Sequence, residues 1–320
     1  MAKTFLADRQ RQWIADLAAH GEQSVAYKDS TIMNELLTVS EALKHPVAAY
    51  FLAKFARKNN KTLSQYFNVG DEIVVPHAEY GDIPHIVIGK DMDGAGTITL
   101  LAKECVCQKC FDARETTNED ANRKTYGNNR WSQSNLMQYL NSGNTAGHWY
   151  SAQHDADAAP DTANIWSGCD THYTDEPGYL DGFDIDFLYM LKTVTKRTAL
   201  NTVTDGGGYE DVECKVFLLS ETEVGLGNEN NVAEGTLYPY FTNNATRKAY
   251  PSDYLKAKAN AIGYTTDHIK NNNGWNGWWW WLRTPNSANS YYVRLVSTGG
   301  TLSHIPAYSG RLGVRPAIVI

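Results

Sequence analysis

The sequence predicts an α+β fold. A small helical region over residues 1–63 precedes a domain of antiparallel sheet and helices over 66–320. Three observations predict it. Near Phe67 the apolar period changes from helical spacing to short runs bounded by turn residues. In mid-chain, one amphipathic helical segment stands among such runs. The chain also closes on Ala317-Ile318-Val319-Ile320, an apolar run costly to leave in water. That run predicts a buried final strand around Val314 to Ile320, beside an early strand.

In the N-terminal region, Trp13, Ile14, Leu17 and Ala18 sit at helical spacing. Ser30 or Thr31 is placed to cap a second helix carrying Ile32, Leu36, Leu37, Val39 and Leu43. Pro46 suits the first turn of a third, with Val47, Tyr50, Phe51 and Phe55. Asn59-Asn60-Lys61 reads as a boundary. Three short solvated helices need fewer apolar residues than these, so residues 1–63 are expected to oligomerise or to dock on a larger particle.

Beyond the boundary, Ile73-Val74-Val75, Ile86-Val87-Ile88 and Ile98-Thr99-Leu100-Leu101 read as strands, the last continuing toward Cys105. Asp91-Met92-Asp93-Gly94-Ala95-Gly96 opens like a calcium loop but lacks its later ligands and closing glutamate. A hairpin turn through Asp93-Gly94 is the expectation. Ser132 to Asn141 reads as a Ser-capped helix with Leu136, Tyr139 and Leu140 on one face. Residues 142–186, with Asp155, Asp157, Asp161, Asp170, Asp175, Asp181 and Asp184, read as a solvated acidic insertion; their carboxylates have no recurring ligand spacing for calcium. Asp205-Gly206-Gly207-Gly208 is expected to turn before a strand over Lys215 to Leu219. No Lys-Ser/Thr follows it to suggest a phosphate loop.

Composition excludes several function classes. A net charge of −7 and a pI near 5.7 make no electrostatic case for nucleic acid. No apolar run approaches a membrane span. The first ten residues break into charge too early for a secretory signal, so synthesis in a cytoplasm without a signal peptide is expected. An odd count of five cysteines argues for reduced thiols. Cys105, Cys107 and Cys110 have no evident fourth ligand for zinc, so a structural role is expected and no metal or cofactor is called.

The tail is the most informative segment. It opens with Gly274-Trp275-Asn276-Gly277 and the tryptophans Trp278 to Trp281, continues as Leu282-Arg283-Thr284-Pro285, and closes with Gly313-Val314-Arg315-Pro316-Ala317. Between these anchors the residues are small, polar and aromatic, the chemistry of a binding surface: tyrosine gives contact area at low entropic cost, while Ser, Asn and Gly adapt their hydrogen bonds. On a strand the tryptophans alternate between faces. Trp280 and Trp281 are expected in the core, with Trp278 and Trp279 left open. Arg283 and Arg315 are expected to bond buried carbonyls or carboxylates, and with Gly313 they complete the fixed framework.

These motifs resemble the variable region of proteins diversified by diversity-generating retroelements, which have a C-type-lectin-like fold of the formylglycine-generating-enzyme type. Val69-Gly70-Asp71, Trp131 to Asn141 and Lys215 to Ser220 resemble further pieces of that domain, so the resemblance covers roughly 66–320. It implies a ligand-binding protein with a variable region over about 270–312. Such retroelements mutate adenines, and AAC or AAT codons mutated in this way never become Lys, Glu, Gln, Met or Trp. The first 281 residues hold 54 of these five types; residues 282–320 hold none.

The implied partner is an unknown host-surface protein or glycan. The implied setting is a phage tail or related virion, with a cellular bacterial binding protein of the same fold as the alternative. A formylglycine-generating-type enzyme is the minor alternative: it would need late cysteines, and none follows Cys214. A hydrolase triad from Ser220, His268 or His304 lacks the G-x-S-x-G elbow, and the usual sugar-binding calcium motifs of C-type lectins are absent. The ligand surface is expected at Asn289, Tyr291, Tyr292, Arg294, Ser303, His304, Tyr308, Ser309 and Arg311, mostly exposed and together on one surface. Positions that tolerate change must avoid the core, and contacts must cluster to carry binding energy.

Overall fold

The computed structural model describes residues 8–29, 31–36, 62–170, 172–264, 270–271 and 274–320. The helices are α1 (Asp8–His20), α2 (Val25–Lys28), α3 (Leu63–Tyr66), α4 (Ala121–Tyr126), α5 (Asn135–Leu140), α6 (Ile185–Met190), α7 (Asn244–Arg247) and α8 (Asp253–Ala261); residues 31–36 are also helical. The strands are β1 (Glu72–His77), β2 (Gly81–Lys90), β3 (Ile98–Ala102), β4 (Cys107–Gln108), β5 (Trp166–Gly168), β6 (Val194–Ala199), β7 (Tyr209–Cys214), β8 (Val216–Phe217), β9 (Lys270–Asn271), β10 (Gly274–Trp275), β11 (Trp280–Pro285), β12 (Tyr292–Val296), β13 (Leu302–Pro306), β14 (Ser309–Gly310), β15 (Gly313–Val314) and β16 (Ala317–Val319). Helices and largely antiparallel sheets together make the fold α+β.

Two five-stranded sheets carry the architecture, in the orders β1-β2-β3-β16-β8 and β13-β12-β11-β15-β4. The apolar terminus is buried as its composition demands. Ile318 pairs with Leu100 of β3 on one side and with Val216 of β8 on the other, both antiparallel. The central strands are buried on both faces, so alternate residues feed two core clusters. Val87, Leu100 and Trp281 enter one; Ile86, Ile88, Leu101, Trp280 and Leu282 enter the other.

Several local expectations hold, with shifted boundaries. The β2–β3 hairpin closes through Asp91 to Thr97, where the Asp91 amide donates to the Thr97 carbonyl. Ser134, after a 3-10 turn at Trp131–Gln133, caps α5 by accepting from the Met137 amide, and Leu136, Tyr139 and Leu140 are all buried. The glycine run turns between β6 and β7 with Gly206, Gly207 and Gly208 at φ of +79°, +71° and +71°. The strand expected over Lys215 to Leu219 shortens to β8. In the N-terminal region, Ile14, Leu17, Tyr27, Met33 and Leu36 are buried. At the start of the second helix the Asp29 carboxylate accepts from the Thr31 and Ile32 amides, so Thr31 lies inside the helix, while Ser30 lies outside the described residues. The rest of that helix, the third helix and the Asn59-Asn60-Lys61 boundary lie outside the described residues.

Two expectations need larger correction. Cys105 does not continue β3: it bridges to Pro251 after the chain bends at Lys103-Glu104. The insertion over 142–186 is not simply a solvated acidic loop. Trp149, Tyr173, Tyr179 and Phe183 are buried in the first core cluster. Their apolar area anchors the segment, which a count of aspartates could not reveal. Asp170 is buried with them because it compensates the fully buried Lys109, whose ammonium lies 2.5 Å from Asp170 and 2.7 Å from Glu176. Asp157 accepts from Asn135 Nδ2, and Asp161 caps its own turn.

Candidate ligand-binding face

The candidate face rests on β11. All six residues of that strand are buried, and three indoles near it find acceptors: Trp278 at Arg311 O, Trp280 at Arg247 O and Trp281 at Lys109 O. Trp278, left open by the sequence, is fully buried, while Trp279 is half-buried against the first core cluster. Arg283 behaves as its place in the motif suggests. It is fully buried and donates to Glu223 Oε2 at 2.5 Å and to the carbonyls of Leu218, Glu234 and Arg197. Arg315 donates to Ala102 O and stacks on Trp280; burial lowers its pKa to about 10. Gly313 pairs with Trp280 where a Cβ would meet Cys105 Sγ at 2.4 Å, so glycine is required there.

β12 and β13 form a hairpin on this base, with β13 at the sheet edge. Val293 and Leu295 point into the core. Tyr292 and Arg294 point the other way, opposite Pro306 and His304. The turn is tight: Gly300 has φ +79°, and a Cβ there would lie 2.1 Å from the Asn244 carbonyl oxygen.

Of the nine expected ligand residues, His304 is exposed, and Asn289, Tyr291, Tyr292, Arg294, Ser303 and Arg311 are half-buried. Tyr308, at 8 % exposure, and the fully buried Ser309 correct the expectation. β14 pairs with β5, so the segment that the tail's polarity suggested as surface lies beneath the upstream chain. Ser303 stands opposite Leu295 and so lies on the other side of the sheet from His304.

Two more of the nine are committed to structure. Asn289 Oδ1 accepts from the Tyr291 and Tyr292 amides and shapes the turn. Arg294 is held by Glu229, whose second carboxylate oxygen accepts from Ser287. Burial pushes Glu229 up, but the Ser287 and Arg294 contacts outweigh it and hold its pKa below the usual value.

What the fold brings together is a continuous aromatic run. His304 contacts Tyr292 at 4.6 Å between ring centroids, Tyr292 contacts Tyr291 at 4.3 Å, and Tyr291 stacks on Tyr126 at 4.8 Å. Tyr126 meets Tyr308 edge-on at 5.6 Å, and Tyr308 stacks on Trp166 at 5.7 Å. Arg311 lies 4.1 Å from the Trp166 ring and Arg114 4.9 Å from the Tyr308 ring. Burial and the neighbouring Tyr292 raise the Tyr291 hydroxyl to about 12. Burial and then Arg294 lower His304, leaving it neutral at pH 7. Sequence reasoning missed Tyr126, Trp166 and Arg114. The one signal available was Trp166 itself, a tryptophan inside a polar loop.

A separate polar site lies beside Arg283. A cavity of about 500 Å³ is lined by Asp93, Lys196, Glu223, Tyr238 and Arg283, among others. Its charges satisfy one another: the Lys196 ammonium donates to Asp93, Glu223 and Tyr238, and Tyr238 donates to Asp93. With every ammonium proton already placed, the network braces the sheet. Ser220 is buried and donates to the Glu234 carbonyl, and His268 lies outside the described residues.

The three clustered cysteines are buried thiols, Cys105 in one core cluster and Cys107 and Cys110 in the other; burial raises Cys105 to about 12. Among the described residues no three His, Cys, Asp or Glu side chains are placed to hold a metal ion, and no helix is long and apolar enough to cross a membrane.

An α+β domain with a closed C-terminal strand and an aromatic surface is thus the class of protein that fold and site define. The family described as Domain of unknown function (DUF6273) matches residues 96–320, and the chain belongs to that family. The matched segment begins in the turn before β3, although β1 and β2 complete the same sheet. No curated protein and no solved structure matches the chain.

Proposed function

We propose that this protein is a non-enzymatic ligand-binding protein on a C-type-lectin-like domain, with the aromatic run as its recognition surface. The observation that carries the reading is the continuity of that run. Side chains from the edge hairpin, α4, β5 and the β14 segment make unbroken ring contacts beside a strand, β11, whose indoles and Arg283 already have acceptors. Tyrosine and tryptophan in such an array present wide, rigid area at low entropic cost. The C-terminal strand closing the first sheet supports the C-type-lectin-like assignment.

Retroelement diversification of the tail, display on a phage tail-associated particle that meets a host surface, and docking or oligomerisation through residues 1–63 belong to the same proposal. The missing Lys, Glu, Gln, Met and Trp after residue 281 support diversification. A reverse transcriptase gene and an adenine-rich imperfect repeat of codons 270–320 beside the coding sequence would test that part.

The binding test uses the triple variant Y291A/Y292A/H304A on a glycan array and a panel of bacterial envelope preparations. Aromatic anchors contribute about 2 kcal/mol each, so affinity for whatever the parent binds should fall at least about thirtyfold. The melting temperature should move by less than about 3 °C, since surface changes have small effects. Unchanged binding by the triple variant would overturn the assignment.

A further inference from the structure

The aromatic run ends on two cations that nothing among the described residues neutralises. Arg123, Arg130, Arg283 and Arg294 each hold a carboxylate. Arg114 and Arg311 hold none, and in each the Nε–H is buried without an acceptor. Proteins rarely leave buried donors unpaired, because the lost hydrogen bond to water is not replaced. Both guanidiniums are also stacked, Arg114 on Tyr308 and Arg311 on Trp166, and the two rings stack on each other at 18°. A stacked guanidinium has its flat face occupied and its N–H edge left for a planar anion.

The platform is set in advance. Trp166 is 38 % exposed. The next residue, Ser167, has φ +57°, an unusual conformation for a non-glycine residue. Gly168 fits so closely under β14 that a Cβ would lie 1.9 Å from the Gly310 oxygen. Backbone strain of this kind persists only where the surroundings hold it, and such positions gather at binding sites. Ser309, opposite Trp166 in the strand pair, adds a buried hydroxyl that also lacks a partner.

We infer that Arg114, Tyr308, Trp166 and Arg311 form a subsite for an acidic saccharide, resting on the reading of the aromatic run as a ligand surface. The exposed part of Trp166 meets the apolar side of a sugar ring. The guanidinium edges take its carboxylate or sulfate groups, the shared chemistry being a planar or tetrahedral oxyanion matched to two N–H donors. Two isolated cations on a chain of net charge −7 suit a ligand with sparse negative charge and not a nucleic acid.

Calorimetric titration of the full chain at two salt concentrations tests this with three tetrasaccharides. Unsulfated chondroitin carries carboxylate only, chondroitin 4-sulfate carries carboxylate and sulfate, and cellotetraose is uncharged. The inference expects at least one acidic tetrasaccharide to bind at least about tenfold tighter than cellotetraose, with the difference shrinking at high salt. The stronger of the two identifies the preferred anion. R114M and R311M keep the side-chain stem and should each weaken acidic binding about tenfold, the worth of a charge-assisted hydrogen bond, with cellotetraose binding and the melting temperature unchanged. R311K, keeping charge without the planar edge, should fall between.

Equal affinity for all three sugars, undiminished acidic binding by R114M and R311M, or no acidic binding at millimolar concentration would each overturn the inference. Acidic binding that survives R114M and R311M but is lost in Y291A/Y292A/H304A would leave the ligand surface standing without this subsite. Loss in R114M and R311M alone would do the reverse.

Discussion

Replacing Arg283 by methionine tests whether the motif arginine holds the base of the ligand face. In the folded chain its donors serve Glu223 Oε2 at 2.5 Å, Leu218 O at 2.8 Å, Glu234 O at 2.7 Å and Arg197 O at 3.1 Å. Methionine restores apolar volume and no donors. Glu223 would keep only Lys196 at 3.3 Å and the Ser220 amide at 3.0 Å, and three carbonyls would lose a partner. Breaking one side of a buried ion pair costs about 3–5 kcal/mol. The carbonyl losses do not add in full, because the cavity lined by Arg283 lets water reach the vacated site. A loss of about 4 kcal/mol follows, equivalent to a fall of roughly 8–16 °C in the melting temperature of a domain this size. Urea denaturation and calorimetry measure it. Because much of the cost is the uncompensated carboxylate, R283M/E223Q should be more stable than R283M alone. A fall under about 3 °C for R283M, or no recovery in the double variant, would refute the reasoning.

Tyr308 and His304 should separate cleanly despite their closeness in sequence. Y308A removes a buried ring packed on Trp166 and Tyr126 and should cost about 3 kcal/mol, while H304A should stay within about 0.5 kcal/mol; equal effects by thermal denaturation would place both on the same side of the surface. Glu221 gives a pH dependence opposite to that of ordinary carboxylates. Burial first, then Glu229, raises it to about 7, and its Oε2 has no donor. The folded state therefore keeps a proton that the unfolded chain releases near pH 4.3, so its contribution is full below that pH and is lost as pH rises toward 7. E221Q should come closest to the parent's stability at about pH 4 and exceed it increasingly up to about pH 8, with a smaller remaining slope from Glu234, also raised to about 7 by burial; parallel curves for parent and variant would dispose of the idea.

The sequence by itself determined the parts of this protein that depend on local pattern. Short apolar runs bounded by turn residues marked β1, β2 and β3, and the apolar terminus marked the buried final strand; a helical pattern after a serine marked α5; the glycine run marked a turn, which falls between β6 and β7. The motif context of Arg283 and Arg315 was enough to expect bonds to buried acceptors, and each donates to a buried carbonyl. Tertiary structure alone decided which polar residues reach the surface. Tyr308 and Ser309 read as surface by composition, yet β5 covers them, and the aromatics of an aspartate-rich insertion fill the core. Tyr126, Trp166 and Arg114 join the candidate site from 154 to 206 residues before Ile320, a juxtaposition written in no local spacing. Burial is a property of what packs on top. Strand pairing between distant segments sets it, and the period of either segment alone carries no information about its partner.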